Sequence, residues 1–492
     1  MLILSGFKPD RILTNKYMLS KRSEKGLILL TVAVAIVLFV YWLLYNPVKD
    51  IHASIPGMDN RPKESESSGG KVKIGEGFDF FKELSTDLKG KWVQFRGANS
   101  DNISADQTKL INSWGNGPKI DWQVELGEGH AAPVVYNGKV YVLDYDEVKK
   151  ADALRCFSLE TGEELWRRWY RVHIKRNHGI SRTVPAINDK YLITIGPRCH
   201  VMCTDPNTGD FLWGIDLVKD YMSEIPFWYT GQCPIIVDNI AIIAPGGSSL
   251  LMGVDCATGK VVWETPNPDG WKMSHSSVMP MNLNGKKMWV YAAVGGIVGV
   301  SAEGDDLGEI LWKTKDFAPS VVAPSPIVFG NGKVYMTAGY GAGGILLQVK
   351  KSGNKYSVET LQKFKPKDGI ASEQQTPILY DGHMFSILPK DAGGLRNRFV
   401  CVDPNDSQKI LWDSGSEHRF GLGPYVVADG KFFILKDDGT ISIAKATSKS
   451  FQFLDKAKIM EGHDAWGPLV VVDGRLLMRD DKHMLCIDVR AN

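Results

Sequence analysis

Hydrogen-bonding and stacking side chains collect in short segments that stand immediately before apolar runs. Five of the ten histidines lie in such segments. Imidazoles and amides can donate and accept hydrogen bonds, and an arginine suits a carboxylate or another anion through its forked N–H groups. The candidate ligand-binding residues are His130, His178, Arg182, Gln232, His275, Gln374, Gln375, His418, Arg419, His463 and Trp466.

Other chemical motifs receive no support. Cys199, His200 and Cys203 lie in one alternating run, where neighbouring side chains point to opposite faces, so they do not predict a metal site. Gly246-Gly247 and Gly295-Gly296 lead into no helix, which a phosphate-binding loop would require. No CxxC or CxxCH motif is present. The sequence therefore predicts no metal site and leaves any catalytic residue unknown.

A repeat from residue 119 to the end supplies the elements that must position the candidates. Each copy opens with an apolar run, passes through a turn of the Asn-Gly or Asp-Gly type, and continues with an alternating run, as in APVVYNGKVYVLD. A third run ends near an acid and Thr-Gly, and a fourth closes on tryptophan, at Trp166, Trp213, Trp263 and Trp312 in the first four copies. Two-residue turns with glycine join antiparallel strands, so each copy predicts a four-stranded unit.

Eight copies can be counted, which predicts an all-β fold: an eight-bladed β-propeller of four-stranded antiparallel blades. One such unit cannot bury both faces alone, and radial stacking leaves no long open edge. The tryptophan is large enough to fill the gap between neighbouring blades. The eighth copy ends without room for a tryptophan-bearing fourth strand, while residues 119–127 contain Trp122. We therefore expect residues 119–127 to complete the last blade and close the ring.

Charge and cysteine usage exclude some classes of protein. Lys plus Arg is 58 and Asp plus Glu is 56, so the net charge of +2 argues against a nucleic-acid-binding protein. Four of the seven cysteines recur at one position of the repeat: Cys156, Cys203, Cys401 and Cys486. We interpret them as small apolar fillers on packed strands, with a disulfide or redox role as the alternative.

An apolar stretch near the N-terminus predicts a membrane anchor. Residues 27–45 carry no charge, and as a helix they would span roughly 28 Å. Six lysines and arginines precede this stretch and only Lys49 follows closely. The positive-inside rule then places the N-terminus in the cytoplasm and the body in the periplasm, anchored by a single pass in the inner (cytoplasmic) membrane. The alternative is a cleaved secretory signal, whose apolar core is usually shorter.

These features divide the chain into four parts. Residues 1–26 are the expected cytoplasmic segment, 27–45 the transmembrane helix and 91–492 the propeller. Residues 46–90 include RPKESESSGGKVK, which is polar and has few large apolar groups, and this composition predicts a tether.

The copies share a pattern in which an acid is followed by any two residues, Thr-Gly, any three residues and Trp, as in DPNTGDFLW. This pattern resembles the repeat of pyrroloquinoline-quinone-dependent dehydrogenases. It is also similar to that of non-enzymatic relatives such as the outer-membrane-protein assembly lipoprotein. WVQFRGANSDN (92–102) and the ending LLMRDDKHMLCIDVR resemble bacterial quinoprotein-like propellers. The resemblance covers about residues 90–490 and is specific for the fold, which alone does not give a function.

For the dehydrogenases the resemblance implies a quinone at the propeller mouth. A vicinal Cys–Cys disulfide often covers it, a Trp lies beneath it, and Glu, Asn and Asp hold a calcium ion. This sequence has no adjacent cysteines, and no stretch matches the calcium ligands. Trp466 could imitate the stacking residue or plug the channel.

In a propeller, the segment before each opening strand reaches the mouth of the central channel, so the eleven candidates are expected to face it. A concave polar mouth is the default ligand site, although such channels also simply hold water. Two function classes stay open. The first is a membrane-anchored module that binds a ligand or an envelope protein, alone or within a complex, and needs no cofactor. The second is a dehydrogenase of alcohols or sugars that uses pyrroloquinoline quinone with calcium.

Overall fold

The computed structural model describes residues 21–45, 72–175 and 177–491. Residues 1–20 of the predicted cytoplasmic segment and residues 46–71 of the predicted tether lie outside the described residues. The chain divides into two units, residues 1–65 and residues 66–492, and each is considered by itself.

The first unit contains the helix Lys21–Leu44, which begins six residues before the predicted apolar stretch. Its apolar side chains from Leu27 onward are exposed. Among the described residues, Ser23–Leu44 is the one helix long and apolar enough to cross a membrane. Its 24 residues would span about 36 Å, which exceeds the hydrocarbon layer of a bilayer.

The second unit is an eight-bladed β-propeller, and the fold prediction is confirmed. Strands pair antiparallel within each blade. The blades are numbered in chain order, and the strands of each blade are given from the innermost to the outermost. Blade 1 consists of Val134–Tyr136, Lys139–Asp146, Ala151–Ser158 and Glu164–Arg171, and blade 2 of Ala186–Ile187, Leu192–Ile195, His200–Thr204 and Phe211–Asp216. Blade 3 consists of Ile235–Val237, Ile240–Ile243, Ser249–Asp255 and Val261–Pro266, and blade 4 of Met279–Leu283, Lys286–Ala293, Gly296–Ser301 and Ile310–Thr314.

The remaining blades follow the same plan. Blade 5 consists of Ile327–Val328, Lys333–Ala338, Gly343–Ser352 and Lys355–Phe364, and blade 6 of Ile378–Tyr380, His383–Ile387, Phe399–Asp403 and Asp406–Asp413. Blade 7 consists of Tyr425–Ala428, Lys431–Leu435, Thr440–Lys445 and Phe453–Lys458, and blade 8 of Val470–Val472, Arg475–Arg479, His483–Asp488 and Lys119–Glu125. Short helices at Leu217–Tyr221 and Gly393–Leu395 lie in connections.

The ring closes as the sequence predicts. Lys119–Glu125 is the outermost strand of blade 8, and its Trp122 pairs with Cys486 on the neighbouring strand. The Trp122 indole N–H also donates a hydrogen bond of 2.8 Å to the Leu159 carbonyl of blade 1. The first and last parts of the propeller sequence therefore share one sheet.

The closing tryptophans pack against glycines of the next blade. Trp166 of blade 1 covers Gly209 in the Thr-Gly turn of blade 2, and a Cβ at Gly209 would stand 2.9 Å from that ring. Trp122 covers Gly162 and Trp213 covers Gly259 in the same way. These glycines also have positive φ, which other residues adopt at a cost. The turn sequence and the tryptophan thus form one interblade contact.

The residue opposite each closing tryptophan is small. Cys156, Cys203, Cys401 and Cys486 pair with Trp166, Trp213, Trp412 and Trp122 across the outer two strands. Glycine takes this position in blades 3 and 4. All seven cysteines are buried and free, so the interpretation as small fillers fits the structure.

The N-terminal part of the second unit adds two strands to blade 1. Gly77–Phe80 pairs with the outermost strand, and Lys91–Trp92 pairs with the innermost one. Residues 72–90 therefore pack on the propeller, although the sequence assigns them to the tether. The tether itself stays a prediction for residues 46–71.

Residues 91–111, here called the floor segment, then lie against the innermost strands. Ile187 of blade 2 donates to the Val93 carbonyl, Asn102 bonds the Tyr425 carbonyl of blade 7, and Ser104 bonds the Val471 carbonyl of blade 8. The buried Arg96 guanidinium donates four hydrogen bonds of 3.0 to 3.2 Å, all to carbonyl oxygens, including that of Thr376 in blade 6. The floor segment thus links blade 2 to blades 6, 7 and 8.

We predict that Gly209→Ala destabilises the propeller more than Gly382→Ala. Both glycines have φ above +70°, so both variants bear the left-handed backbone cost of about 1–2 kcal/mol. Only Gly209 faces a tryptophan, whereas a Cβ at Gly382 meets open space. Overpacking should add about 1–3 kcal/mol at Gly209, measurable by urea unfolding of the full-length protein. Equal losses in the two variants would contradict the interblade contact.

Candidate functional site

A belt of hydrogen bonds fixes the segments that lead into the innermost strands of blades 2 to 6. The Val184 N–H donates to Cys233 Sγ at 3.2 Å, and the Cys233 N–H donates to Ser277 Oγ at 3.0 Å. The Ser277 N–H donates to Ser325 Oγ at 2.9 Å, and the Ser325 N–H to Thr376 Oγ1 at 2.8 Å. These five residues, here called the belt, sit directly before the innermost strands, four of them before a proline that favours extended backbone.

Several predicted residues meet at the mouth above the belt. The His130 and Trp466 rings lie 5.0 Å apart between centroids. His130 Nε2 is 3.1 Å from the His178 carbonyl oxygen, and Gln375 Nε2 donates to the Trp466 carbonyl at 3.0 Å. The structure therefore joins segments from blades 1, 2, 6 and 8 in one contiguous group.

Arg182 supplies a positive charge to this group. One of its terminal nitrogens donates to the carbonyls of Asn177, His178 and Gly179. Its Nε is buried and has no hydrogen-bond partner among the described residues. Burial lowers the pKa of Arg182 to about 10, so the guanidinium stays charged at neutral pH. A buried positive charge thus lies beside the mouth, with one donor left unsatisfied.

The nearby imidazoles are neutral at neutral pH. Burial, assisted by the charges of Arg182 and Arg479, lowers the pKa of His130 to about 3. Burial and Arg182 likewise lower the pKa of His275 to about 4. His130 Nδ1 and His275 Nε2 are buried without a hydrogen-bond partner in the described part of the chain. Both rings can therefore contribute a neutral hydrogen-bonding atom.

An exposed set of rings extends the mouth over blades 3 to 5. Trp228 stacks on Tyr340 with centroids 5.9 Å apart and planes 14° from parallel. Trp228 also contacts Phe227 at 5.5 Å and His275 at 6.1 Å. Tyr340 is 56% exposed and Phe227 is 40% exposed. These four residues are here called the aromatic shelf, in which Trp228 and Tyr340 are nearly parallel and Phe227 stands almost perpendicular to Trp228.

Acidic groups balance the mouth. Glu373 is buried, its carboxylate lies 3.8 Å from Lys390 Nζ, and burial raises its pKa above the ordinary value. Burial also raises the pKa of Asp437, whose Oδ1 accepts a hydrogen bond from the Leu422 N–H. The mouth therefore combines cationic side chains, neutral imidazoles and carboxyl groups.

The remaining candidates lie elsewhere. The Gln232 amide is buried in blade 3, where it bonds the Cys233 carbonyl and the Ala244 N–H. The His418 ring stacks on Phe453 of the outermost strand of blade 7 at 4.5 Å. Arg419 donates to the carbonyls of Arg396 and Gly394 in a blade 6 connection.

Two further candidates make few contacts. The His463 side chain is exposed and lies 3.6 Å from an Asp464 oxygen. Gln374 is half-buried beside the Gln375 that joins the mouth group.

Trp228 and Tyr340 are mouth residues that the sequence reasoning did not single out. Tyr340 lies in the turn between the second and third strands of blade 5, whereas only segments before innermost strands were considered. Both kinds of connection emerge at the same end of a blade because successive strands are antiparallel. The signal was a tyrosine inside the glycine-rich stretch AGYGAGG.

The residues present do not fit pyrroloquinoline quinone with calcium as the resemblance describes it. The sequence has no adjacent cysteines, and Cys233, the cysteine of the belt, accepts the Val184 N–H within that belt. Within residues 21–45, 72–175 and 177–491, no three His, Cys, Asp or Glu side chains are grouped to hold a metal ion. One neighbour of the Trp466 ring is already His130.

Comparison with known proteins gives the fold and a family. The family model for the outer membrane protein assembly factor BamB matches residues 103–217 and 149–410. BamB from Moraxella catarrhalis is 12% identical with a TM-score of 0.51, and the match covers 75% of this chain and 99% of BamB. A europium-containing methanol dehydrogenase is 13% identical with a TM-score of 0.53, covering 81% of this chain and 89% of the enzyme. No curated protein matches the sequence.

We predict that Ser325→Ala weakens the belt. The change removes the oxygen that accepts the Ser277 N–H and leaves that buried donor unsatisfied. The expected loss is about 1–3 kcal/mol in the free energy of unfolding, measured with denaturant on the full-length protein. Ser352→Ala, at an exposed hairpin tip, is the control and should change little. A loss as small as that of the control would show that the belt does not stabilise the mouth.

Proposed function

This chain belongs to the PQQ-like β-propeller family, and on that premise we propose that it is a membrane-anchored module that binds an envelope protein at the propeller mouth. The module is a scaffold that works without a cofactor, alone or as a subunit of an envelope complex. The observation that carries the proposal is the combination of the exposed Trp228–Tyr340 pair with the charged guanidinium of Arg182.

The chemistry of the mouth suits a protein segment. Aromatic side chains and arginines dominate the energetic centres of protein interfaces, since they bury a large area and form directional hydrogen bonds. Trp228 and Tyr340 offer a stacked surface, and the charge of Arg182 favours a carboxylate on the partner. Because the floor segment contacts the innermost strands of blades 2, 7 and 8, we expect the partner to approach from the side of the aromatic shelf.

A quinone-dependent dehydrogenase is the weaker reading. The sequence has no adjacent cysteines that could cover a quinone. Among the described residues, no three His, Cys, Asp or Glu side chains are grouped to hold a metal ion. The enzyme's likeness to this chain supports the fold alone, at 13% identity. BamB, whose family model matches this chain, is described as an assembly factor.

The proposed placement is a single pass in the inner (cytoplasmic) membrane with the propeller in the periplasm. The helix Ser23–Leu44 is long and apolar enough to span, and basic residues are concentrated before it. Residues 1–26 would then be cytoplasmic, and residues 46–71 would connect the helix to the propeller. A tether of that length has a typical reach of about 28 Å if it behaves as a flexible chain.

We predict that mouth variants reduce partner binding. Arg182→Gln removes the donor and Tyr340→Ala removes half of the stacked pair. Each should weaken the complex by at least about tenfold, as expected for central interface residues. Quantitative co-purification of partners with the full-length protein in mild detergent measures the loss. Arg419→Gln is the control, since Arg419 lies against blade 6.

The binding proposal fails if Arg182→Gln and Tyr340→Ala co-purify the same partners in the same amounts as the unchanged protein. Saturable binding of pyrroloquinoline quinone with calcium, together with dye reduction by an alcohol or sugar, would support the dehydrogenase instead.

Thiol labelling tests the topology. All seven native cysteines are buried and should stay unlabelled in the folded protein. A membrane-impermeant maleimide added to cells with a permeabilised outer layer should label Ser352→Cys, at an exposed hairpin tip of the propeller. It should not label Ser5→Cys, in the predicted cytoplasmic segment, until the inner membrane is opened. The reverse pattern would overturn the orientation.

A further inference from the structure

A carboxyl–phenol pair is buried between blades 1 and 2. Asp152 begins the third strand of blade 1, Tyr170 ends its fourth strand, and each side chain is 1% exposed. The Tyr170 hydroxyl donates to Asp152 Oδ2 at 2.6 Å. The other oxygen, Asp152 Oδ1, is buried and has no hydrogen-bond partner among the described residues. An ionised Asp152 would therefore be only partly satisfied.

Blade 2 closes over this pair through a glycine. A Cβ at Gly196 would collide with Tyr170 Oη and Asp152 Oδ2. The missing side chain lets the backbone of blade 2 seal the pair from water. His200 of blade 2 meets the Tyr170 ring edge-on, with centroids 5.4 Å apart. The contact therefore joins the two blades through ionisable groups.

His200 is also held uncharged. Its ring is buried, Nδ1 has no hydrogen-bond partner in the described part, and Nε2 lies 3.8 Å from Asp216 Oδ2. Burial lowers the pKa of His200 to about 4, against the opposing effect of Asp216. Burial raises the pKa of Asp152 from 3.8 to about 7, and the Tyr170 hydrogen bond only partly counters it.

No cation compensates Asp152 among the described groups that act on it. Burial and Asp152 raise the pKa of Tyr170 well above its ordinary value, so the phenol remains a donor. The ionisable and charged groups that face the pair or His200 are Asp144 and Tyr145 from blade 1, and Asp216, Arg198, Cys199 and Lys219 from blade 2.

The pair also adjoins the segment that carries Arg182. Residues 172–185 leave blade 1 directly after Tyr170 and lead to the belt. Arg198 Nη1 donates to the His173 carbonyl at 3.3 Å, and the Tyr229 hydroxyl donates to the Lys175 carbonyl at 2.6 Å. A loosened contact between blades 1 and 2 would therefore release the connection that positions His178 and Arg182.

We propose that Asp152, Tyr170 and His200 form a latch that holds blades 1 and 2 together while Asp152 and His200 are uncharged, with opposite responses to pH that offset each other, and so keeps the connection to the mouth in place. The relevance to the mouth rests on the proposed function, whereas the latch itself does not.

The two groups act in opposite directions. Asp152 has a raised pKa, so its stabilisation is complete below about pH 4 and is lost as the pH rises through about 7. His200 has a lowered pKa, so its stabilisation is complete above about pH 6.5 and is lost as the pH falls through about 4. The two contributions therefore nearly offset each other in the unchanged protein, and each becomes visible only when the other group is removed.

Hydrogen–deuterium exchange of the full-length protein in mild detergent tests the latch at about pH 5 and about pH 8, after correction for intrinsic exchange. The informative peptides cover residues 150–156, 168–175 and 196–203, and a blade 4 peptide over 288–300 is the internal control. Asp152→Asn leaves only the His200 dependence, so these peptides should open more at the acid end. His200→Gln leaves only the Asp152 dependence, so they should open more at the alkaline end, on the order of tenfold to a hundredfold.

The proposal is supported if protection of the latch peptides against exchange changes with pH in opposite directions in the two variants, and only in those peptides. It is overturned if protection depends on pH in the same way in both variants and in the unchanged protein. Should one variant fail to fold, the other decides: its latch peptides must show the stated change in protection with pH, while its blade 4 peptide and the latch peptides of the unchanged protein change little. None of these readouts needs a partner, so a failed latch and a failed mouth are distinguishable.

Discussion

The packing of an indole over a glycine of the neighbouring blade is the contact on which the rest of the propeller depends. A tryptophan closes a blade, lies over the glycine in the next turn, and is opposed by cysteine or glycine on its own sheet. All three positions are constrained together, because a Cβ on the turn or a larger residue opposite would displace the ring. This contact recurs between blades 8 and 1, 1 and 2, 2 and 3, and 3 and 4, so it governs the packing over half of the ring.

The channel gains its chemistry from two structures that the blades do not provide alone. The belt links the backbone of five successive blades just below the mouth, so the connections that carry the mouth side chains start from fixed positions. The floor segment brings Arg96 to the carbonyl of Thr376, a belt residue. The mouth therefore has a rigid base, and its exposed aromatic shelf stands on that base.

The fold could be predicted from the sequence because its repeat consists of residues that determine turns and strands locally. Turn glycines, alternating runs and closing tryptophans fix the blades, and the missing eighth tryptophan pointed to Trp122. The floor segment gave no such signal, since its hydrogen bonds are made by irregular backbone to distant strands. The strand Gly77–Phe80 was hidden for a similar reason, because it follows a polar stretch and pairs with a strand far along the chain.

The site was only partly predictable because sequence position gives the end of a blade and not the direction of a side chain. The side chains of His130, Arg182, Gln375 and Trp466 do converge, and His178 joins them through its carbonyl, whereas the Gln232 amide turns into its own blade and His418 turns outward to Phe453. Directions of this kind are decided by which backbone groups still need a partner, as the Ala244 N–H does at Gln232. Tyr340 was missed because it lies in a different kind of connection at the same end.

Ring closure also sets the order in which this protein can reach its native state. Gly90 is bonded to Asp473, 383 residues away along the chain, and the last sheet needs residues from both extremes of the propeller. Contacts of such high sequence separation form slowly, because a long loop must close before any of them is gained. Synthesis must deliver the final strands before the ring can close. Until then the strand edges of the earlier blades remain exposed, and nascent chains should depend on chaperones during that interval.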